Sequence, residues 1–235
     1  MKRLTFNLLS VILLSAAINA SAQDSSTQSR QVSDFNSVAS AGPFNVHIKL
    51  DGSESIKVDA DANIINDIET VVENHTLKIK FKDREFRRYN HIHKAEVYVS
   101  AKSLNALTNS GSGSMEVEGT INTEDFKVIL SGSGSIRTAV KSNGLQAVIS
   151  GSGSIKLKGS AENADITISG SGEVDGRNLK TQSAKAVITG SGNIHIAADR
   201  SVTAHITGSG NVLYSGNASN VDSRYIGSGR ASRED

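Results

Sequence analysis

The chain has 235 residues, with no Cys, no Trp, one Pro and 4% aromatic residues. A disulfide framework is excluded, so burial and backbone hydrogen bonds must hold the fold. The formal charge of +1 excludes a general pull toward nucleic acid or anionic membrane.

Lys2 and Arg3 precede an apolar stretch, Leu8 to Ile18, and the small-x-small run Ala20-Ser21-Ala22. This is the pattern of a signal peptide over 1–22, with cleavage after Ala22. The stretch is short for a bilayer span, and no later segment is apolar enough to cross a membrane. Loss of Lys2 and Arg3 turns the formal charge from +1 to −1. Residues 23–33, "QDSSTQSRQVS", are polar and read as a flexible lead-in.

Residues 34–108 carry strand patterns. Phe44 to Leu50 alternates, Asp51-Gly52 reads as a hairpin turn, and Ser55 to Asp59 reads as its return strand. Asn63 to Thr70 fits a short helix. Thr76 to Phe81 and Ala95 to Val99 alternate again, with a charged loop from Lys82 to Lys94 between them. The whole region is expected to continue into the first coil and cap it.

From 109 to 235 the sequence repeats. Gly-Ser-Gly begins at Gly111, Gly132, Gly151, Gly170, Gly190, Gly208 and Gly227, in steps of 21, 19, 19, 20, 18 and 19 residues. A period near twenty is the mark of a solenoid. Two residues before the first glycine stand Leu130, Ile149, Ile168, Ile188 and Ile206. Four after it stand Met115, Ile136, Ile155, Val174, Ile194 and Val212. These columns share one parity, and the positions between are mostly polar, as in half-buried strands. The same parity puts both glycines inward and the central serine outward. An inward glycine permits close backbone approach or a bend at positive φ. The serines are expected to satisfy their hydroxyls by local hydrogen bonds. One coil buries too few aliphatics to offset its ordering entropy, so coils must stack. Coils about 4.8 Å apart make seven of them a rod about 35 Å long. The fold class is all-β, a right-handed β-helix or β-solenoid of about seven coils. At the far end, Arg224, Arg230 and Arg233 would discourage edge pairing.

The sequence resembles the head GIN domain family, also called putative auto-transporter adhesin. The residues that carry the likeness are "RQVSDFNSVASAGPFNVHIKL", "VVENHTLKIKF" and the repeated "SGSG" with its flanking aliphatics, over about residues 30 to 229. The resemblance implies an exported β-solenoid of Bacteroidetes-like bacteria, at the periplasm or the cell surface. It supplies no catalytic residues.

The charged loop offers one candidate binding patch. Arg84, Arg87, Arg88, Tyr89 and Lys94, with Lys80, Lys82 and Phe86, could hold a sulfated or phosphorylated glycan. His91 and His93 could share a strand face as metal ligands do, but no third ligand accompanies them. Asp59-Ala60-Asp61 begins like a calcium loop, yet Ile64 stands where the loop needs Gly and Thr70 where it needs Glu. The nearest approach to paired catalytic carboxylates is Glu173 and Asp175 beside a turn. No Gly-x-Ser-x-Gly elbow, phosphate loop or HExxH motif occurs. No catalytic residue, metal or cofactor is therefore assigned. The expected protein is a non-enzymatic adhesin or envelope binding module for glycan or protein, with no nucleic-acid partner. A carbohydrate-active enzyme and a passive envelope component are the alternatives.

Overall fold

The structure, a computed structural model, describes residues 25–82 and 92–234. The alternating aliphatics wind into an all-β solenoid of about seven turns, with stacked parallel coils. Strands that lead into the Gly-Ser-Gly corners form one face, together with two earlier strands in line with them. They run in the order β6 (Thr76–Phe81), β2 (Ser37–Ala41), β8 (Ala106–Gly111) and β10 (Asp125–Gly132). The C-terminal halves of β11 (Ser135–Gly151), β12 (Ser154–Gly170), β13 (Glu173–Gly190) and β14 (Asn193–Gly208) continue it, and β16 (Asn220–Ile226) ends it. Strands that leave these corners form the opposite face, again with two earlier strands in line with them. Here β7 (Ala95–Ala101), β3 (Asn45–Leu50) and β9 (Ser114–Asn122) are followed by the N-terminal halves of β11 to β14. This face ends in β15 (Asn211–Ser215) and β17 (Arg230–Arg233).

The core lies between the faces. Leu130, Ile149, Ile168, Ile188 and Ile206 are each at most 2% exposed, and so are Ile136, Ile155, Val174, Ile194 and Val212. Parallel register puts Gly111, Gly132, Gly151, Gly170, Gly190 and Gly208 directly above one another.

That stacking shows what the triplet is for. From Gly132 to Gly208 the first glycine has φ between +117° and +129°. Its carbonyl accepts backbone N–H groups from the next coil: those of Ser152 and Gly153 reach the Gly132 oxygen at 3.0 and 3.1 Å. A Cβ on Gly151 would fall on the Gly132 backbone, and one on Gly153 would meet the Gly134 carbonyl and the Leu130 side chain. The second glycine is buried as its parity predicts. The first is half-buried, and its missing Cβ points down the stack rather than into the core. The central serines are exposed. Contrary to expectation, their side chains make no hydrogen bond among the described residues, because the corner N–H groups are already bound to the coil below.

The region before the first triplet uses the same cross-section with different chemistry. Gly42-Pro43-Phe44 forms the corner beneath Gly111 and Gly113, whose added Cβ atoms would strike the Gly42 and Phe44 backbones. The ring of Phe44 packs on that of Phe81 at 4.9 Å. Beyond this coil the chain reverses. β4 (Ser55–Asp61) lies antiparallel on β7, and β5 (Ile68–Glu73) lies antiparallel on β6. Asp51-Gly52 is thus a turn but not a hairpin: β7 lies between β3 and β4. The helix expected over Asn63 to Thr70 shrinks to a 3-10 turn, Ile65–Asp67, because from Ile68 the chain is already extended and paired on β6 as β5. Part of the polar lead-in, from Ser25 to Arg30, is extended. Ser25–Arg30 forms β1, antiparallel on β4 over six residue pairs. Its contribution comes from backbone pairing, which needs no apolar side chain.

Candidate binding surface

The lattice of strands sets side chains of the second face in register. Lys57 on β4 pairs with Tyr98 on β7, Tyr98 with His47 on β3, and His47 with Glu116 on β9. The file runs on through Arg137, Lys156, Asp175 and His195. Each of these residues lies between two buried neighbours in its strand, so alternation alone turns it outward.

Tyr98 is the centre of the first part of this file and is 40% exposed. The His47 ring stacks on it at 5.0 Å with an interplanar angle of 19°. The Lys57 ammonium covers it at 4.8 Å from the ring centroid, a cation–π contact. His47 Nε2 lies 2.7 Å from Glu96 Oε2, and Asn45 donates to the other Glu96 oxygen at 2.9 Å. The phenol is therefore fixed in position, while its hydroxyl makes no hydrogen bond among the described residues. It opens on a groove of about 580 Å³ lined by Lys49, Ser100, Glu116 and Glu118 as well as the stack. Such a groove offers a rigid hydroxyl, two ammonium groups and two carboxylates to a polar partner.

A second groove of about 580 Å³ follows the turns at the opposite edge, lined by Asn122, Lys141, Glu162, Lys180 and Asp199. It has no aromatic lining residue.

Further along the file the charges satisfy one another. Asp175 lies 3.3 Å from the Lys156 ammonium and 3.2 Å from the Arg177 guanidinium. Arg177 also meets Glu234 at 3.3 Å. His195 is 9% exposed and sits between them, with Nδ1 3.1 Å from Glu234 and Nε2 3.0 Å from Arg177 Nη2. Since a guanidinium only donates, Nε2 accepts and Nδ1–H donates to Glu234. Partial burial pushes the Asp175 carboxyl up, but hydrogen bonds from the Arg177 backbone and Lys156, with both charges, carry it below its ordinary range. A carboxyl held ionised in this way is a poor general acid.

The patch expected on the charged loop is only partly in view. Arg84, Phe86, Arg87, Arg88, Tyr89 and His91 lie outside the described residues. Lys94 is described, and its ammonium pairs with Asp59 at 2.7 Å. The Asp59 hydrogen bond raises its pKa against desolvation. Lys80 pairs with Glu69 at 3.1 Å, and Lys82 donates to the Asn66 carbonyl at 2.5 Å. These three cations each have a protein partner. The Asp59-Ala60-Asp61 run is likewise occupied: Asp61 is 3% exposed and accepts the His93 N–H at 2.8 Å. No group of three or more possible metal ligands occurs among the described residues.

Residues 34–218 match the family described as "Putative auto-transporter adhesin, head GIN domain". No curated protein matches the chain. Among solved structures, a "putative adhesin" from Bacteroides fragilis NCTC 9343 is 22% identical, with a TM-score of 0.84 over 91% of this chain and 98% of that one. A "putative lipid binding protein" from Parabacteroides distasonis ATCC 8503 has the same identity and coverage, with a TM-score of 0.73. A "putative adhesin" from Parabacteroides merdae ATCC 43184 reaches 0.70, again at 22% identity and the same coverage. At such identity the likeness establishes the shared fold. Among the described residues no helix is long and apolar enough to cross a membrane.

Proposed function

The chain belongs to the head GIN domain family, and from that membership we propose that it is an exported, non-enzymatic adhesin-type module that holds a surface glycan or protein. The family and the solved relatives are named for adhesion. The observation that carries the reading is the Lys57–Tyr98–His47 stack, which fixes an exposed phenol in a groove of mixed charge. Tyrosine in such a setting gives contact area and a hydroxyl at low entropic cost. Neutral and charged hydroxylated ligands both suit the groove, since its ammonium and carboxylate groups nearly balance. The basic loop, with Arg84, Arg87, Arg88, Tyr89 and Lys94, is proposed as a second contact region. Export through the 1–22 segment places the module in the periplasm or at the cell surface.

A glycan array and a pull-down from envelope extracts, run on wild type and Tyr98→Ala, test the proposal. Binding that falls about tenfold or more in the variant, with an unchanged melting temperature, is the expected result. Binding indifferent to Tyr98 moves the site elsewhere. A blank array and pull-down for folded wild type remove the adhesin reading.

A further inference from the structure

The C-terminal end of the solenoid differs from every level below it. β16 pairs only with β14, and β17 only with β15, among the described residues. Both outer edges present unpaired backbone groups. Val221, Ser223 and Tyr225 continue the inward columns of Val202, Ala204 and Ile206. Those three are at most 2% exposed, whereas Val221 is 40% and Tyr225 38% exposed. With Ile226 at 73%, β16 holds three of the four large hydrophobics exposed among the described residues. Tyr225 bends toward the opposite face: its hydroxyl donates to Ser223 Oγ at 2.6 Å and accepts the Ala231 N–H at 3.3 Å. The Arg230 guanidinium lies 5.4 Å from its ring. This covers the end of the core incompletely.

The sequence of β16, Asn220-Val221-Asp222-Ser223-Arg224-Tyr225-Ile226, is complementary to its own reverse. We propose that a second copy of this chain covers the end, with the two β16 strands paired antiparallel about a twofold axis at Ser223. In that register Val221 faces Tyr225 of the other copy, and Asp222 faces its Arg224, each pair occurring twice. Aromatic with β-branched and acid with base are the favourable cross-strand pairs, and a one-residue slip would lose both. The parity is consistent. Val221 and Tyr225 turn inward, so the two cores become continuous, while Asp222 and Arg224 turn outward and form ion pairs on the shared sheet. A self-complementary patch of this kind generates a closed dimer rather than a fibre. Arg230 and Arg233 do not bar the approach. Arg230 donates to the carbonyls of Gly227 and Gly229 at 3.0 and 2.6 Å, and Arg233 donates to that of Gly216.

Sedimentation of the purified protein over a concentration series, with two variants and one crosslink, tests the proposal. Wild type is expected to dimerise. Asp222→Arg opposes like charges at both pairs and weakens dimerisation about tenfold or more. Adding Arg224→Asp to it restores the pairs with their signs exchanged and restores the dimer, which a misfolded variant would not do. Ser223→Cys puts the chain's one cysteine on the axis. Opposed strand residues have Cα atoms about 4.5–5.5 Å apart, within disulfide reach, so mild oxidation yields a covalent dimer. Wild type that stays monomeric throughout overturns the proposal. So does a dimer that ignores Asp222→Arg and leaves Ser223→Cys uncrosslinked.

Discussion

The two ends of this rod are finished in opposite ways. At the N-terminal end the chain turns back on itself: β4 and β5 run antiparallel to the coil they cover, and β1 adds a further antiparallel strand. At the C-terminal end the winding stays parallel, and among the described residues β16 and β17 are edges clasped by the side chains of Arg233 and Glu234. The contrast shows what a regular solenoid lacks. Every coil presents the next with the same unpaired groups, so the repeat contains no instruction to end. Termination needs either a change of chain direction, as in the first region, or a partner, as proposed for the second.

The interior corner is the reference for both ends, and breaking it has the largest expected effect. Gly151→Val sets a branched side chain at φ +129° and drives its Cβ into the Gly132 backbone. Strain and overpacking together cost about 3–5 kcal/mol. Urea unfolding should show a large loss of midpoint with both faces unfolding together, because neighbouring coils share the ladder. An unchanged midpoint would refute the role assigned to the corner carbonyl.

The difference between the two regions also explains what the sequence reveals. The corners and the columns of Leu130 and Ile136 are legible because the same physical demand recurs coil after coil, so chance resemblances average out. The reversal is not. Asp51-Gly52 has the chemistry of a hairpin turn, and nothing local says that a strand more than forty residues later will come between its arms. β1 is hidden because its pairing is carried by the backbone. The turn between β5 and β6 uses Asn74 and His75 at φ +50° and +57°. This is a primed-turn shape for which Asn is a cue and His is not. Tyr98 and His47 were each visible as outward positions of alternating strands. Their stacking was not, since it depends on β3 and β7 being neighbours. The Leu130 column changes character at the first triplet and the coil before it: Asn109 and Ser40 occupy it, fully enclosed, and Asn109 donates to the Gly113 carbonyl at 2.7 Å.

At the reversed end, Arg30 joins β1 to the turn and to β5. Its guanidinium donates to the carbonyls of Ile68 and Ile65 at 2.6 and 2.9 Å, and to Thr70 Oγ1 at 3.2 Å. Arg30→Ala leaves those carbonyls to solvent and is expected to cost about 1–3 kcal/mol. The loss should concentrate in β1 and β5, read as faster amide exchange there while β11 to β13 stay protected. Uniform acceleration along the rod would mean that the cap is not a separate unit.

The tail clasp at the other end should yield the smallest effect, and pH isolates it. Glu234 lies below the ordinary glutamate value of 4.5 because it accepts a hydrogen bond from His195; desolvation opposes this and the Arg177 charge adds to it. A carboxylate depressed on folding stabilises the protein above its unfolded pKa, and that contribution is lost as pH falls through the lower folded value. Wild type should therefore melt slightly above Glu234→Gln at neutral pH, and the gap should close only as the medium falls below about the ordinary glutamate range. Asp175 is depressed in the same region, but it is present in both proteins and cancels from the difference to a first approximation. Differential scanning calorimetry across the acid range measures the gap directly. A constant gap down to the lowest pH would show that Glu234 contributes packing rather than charge, and that the open end is not held by its clasp.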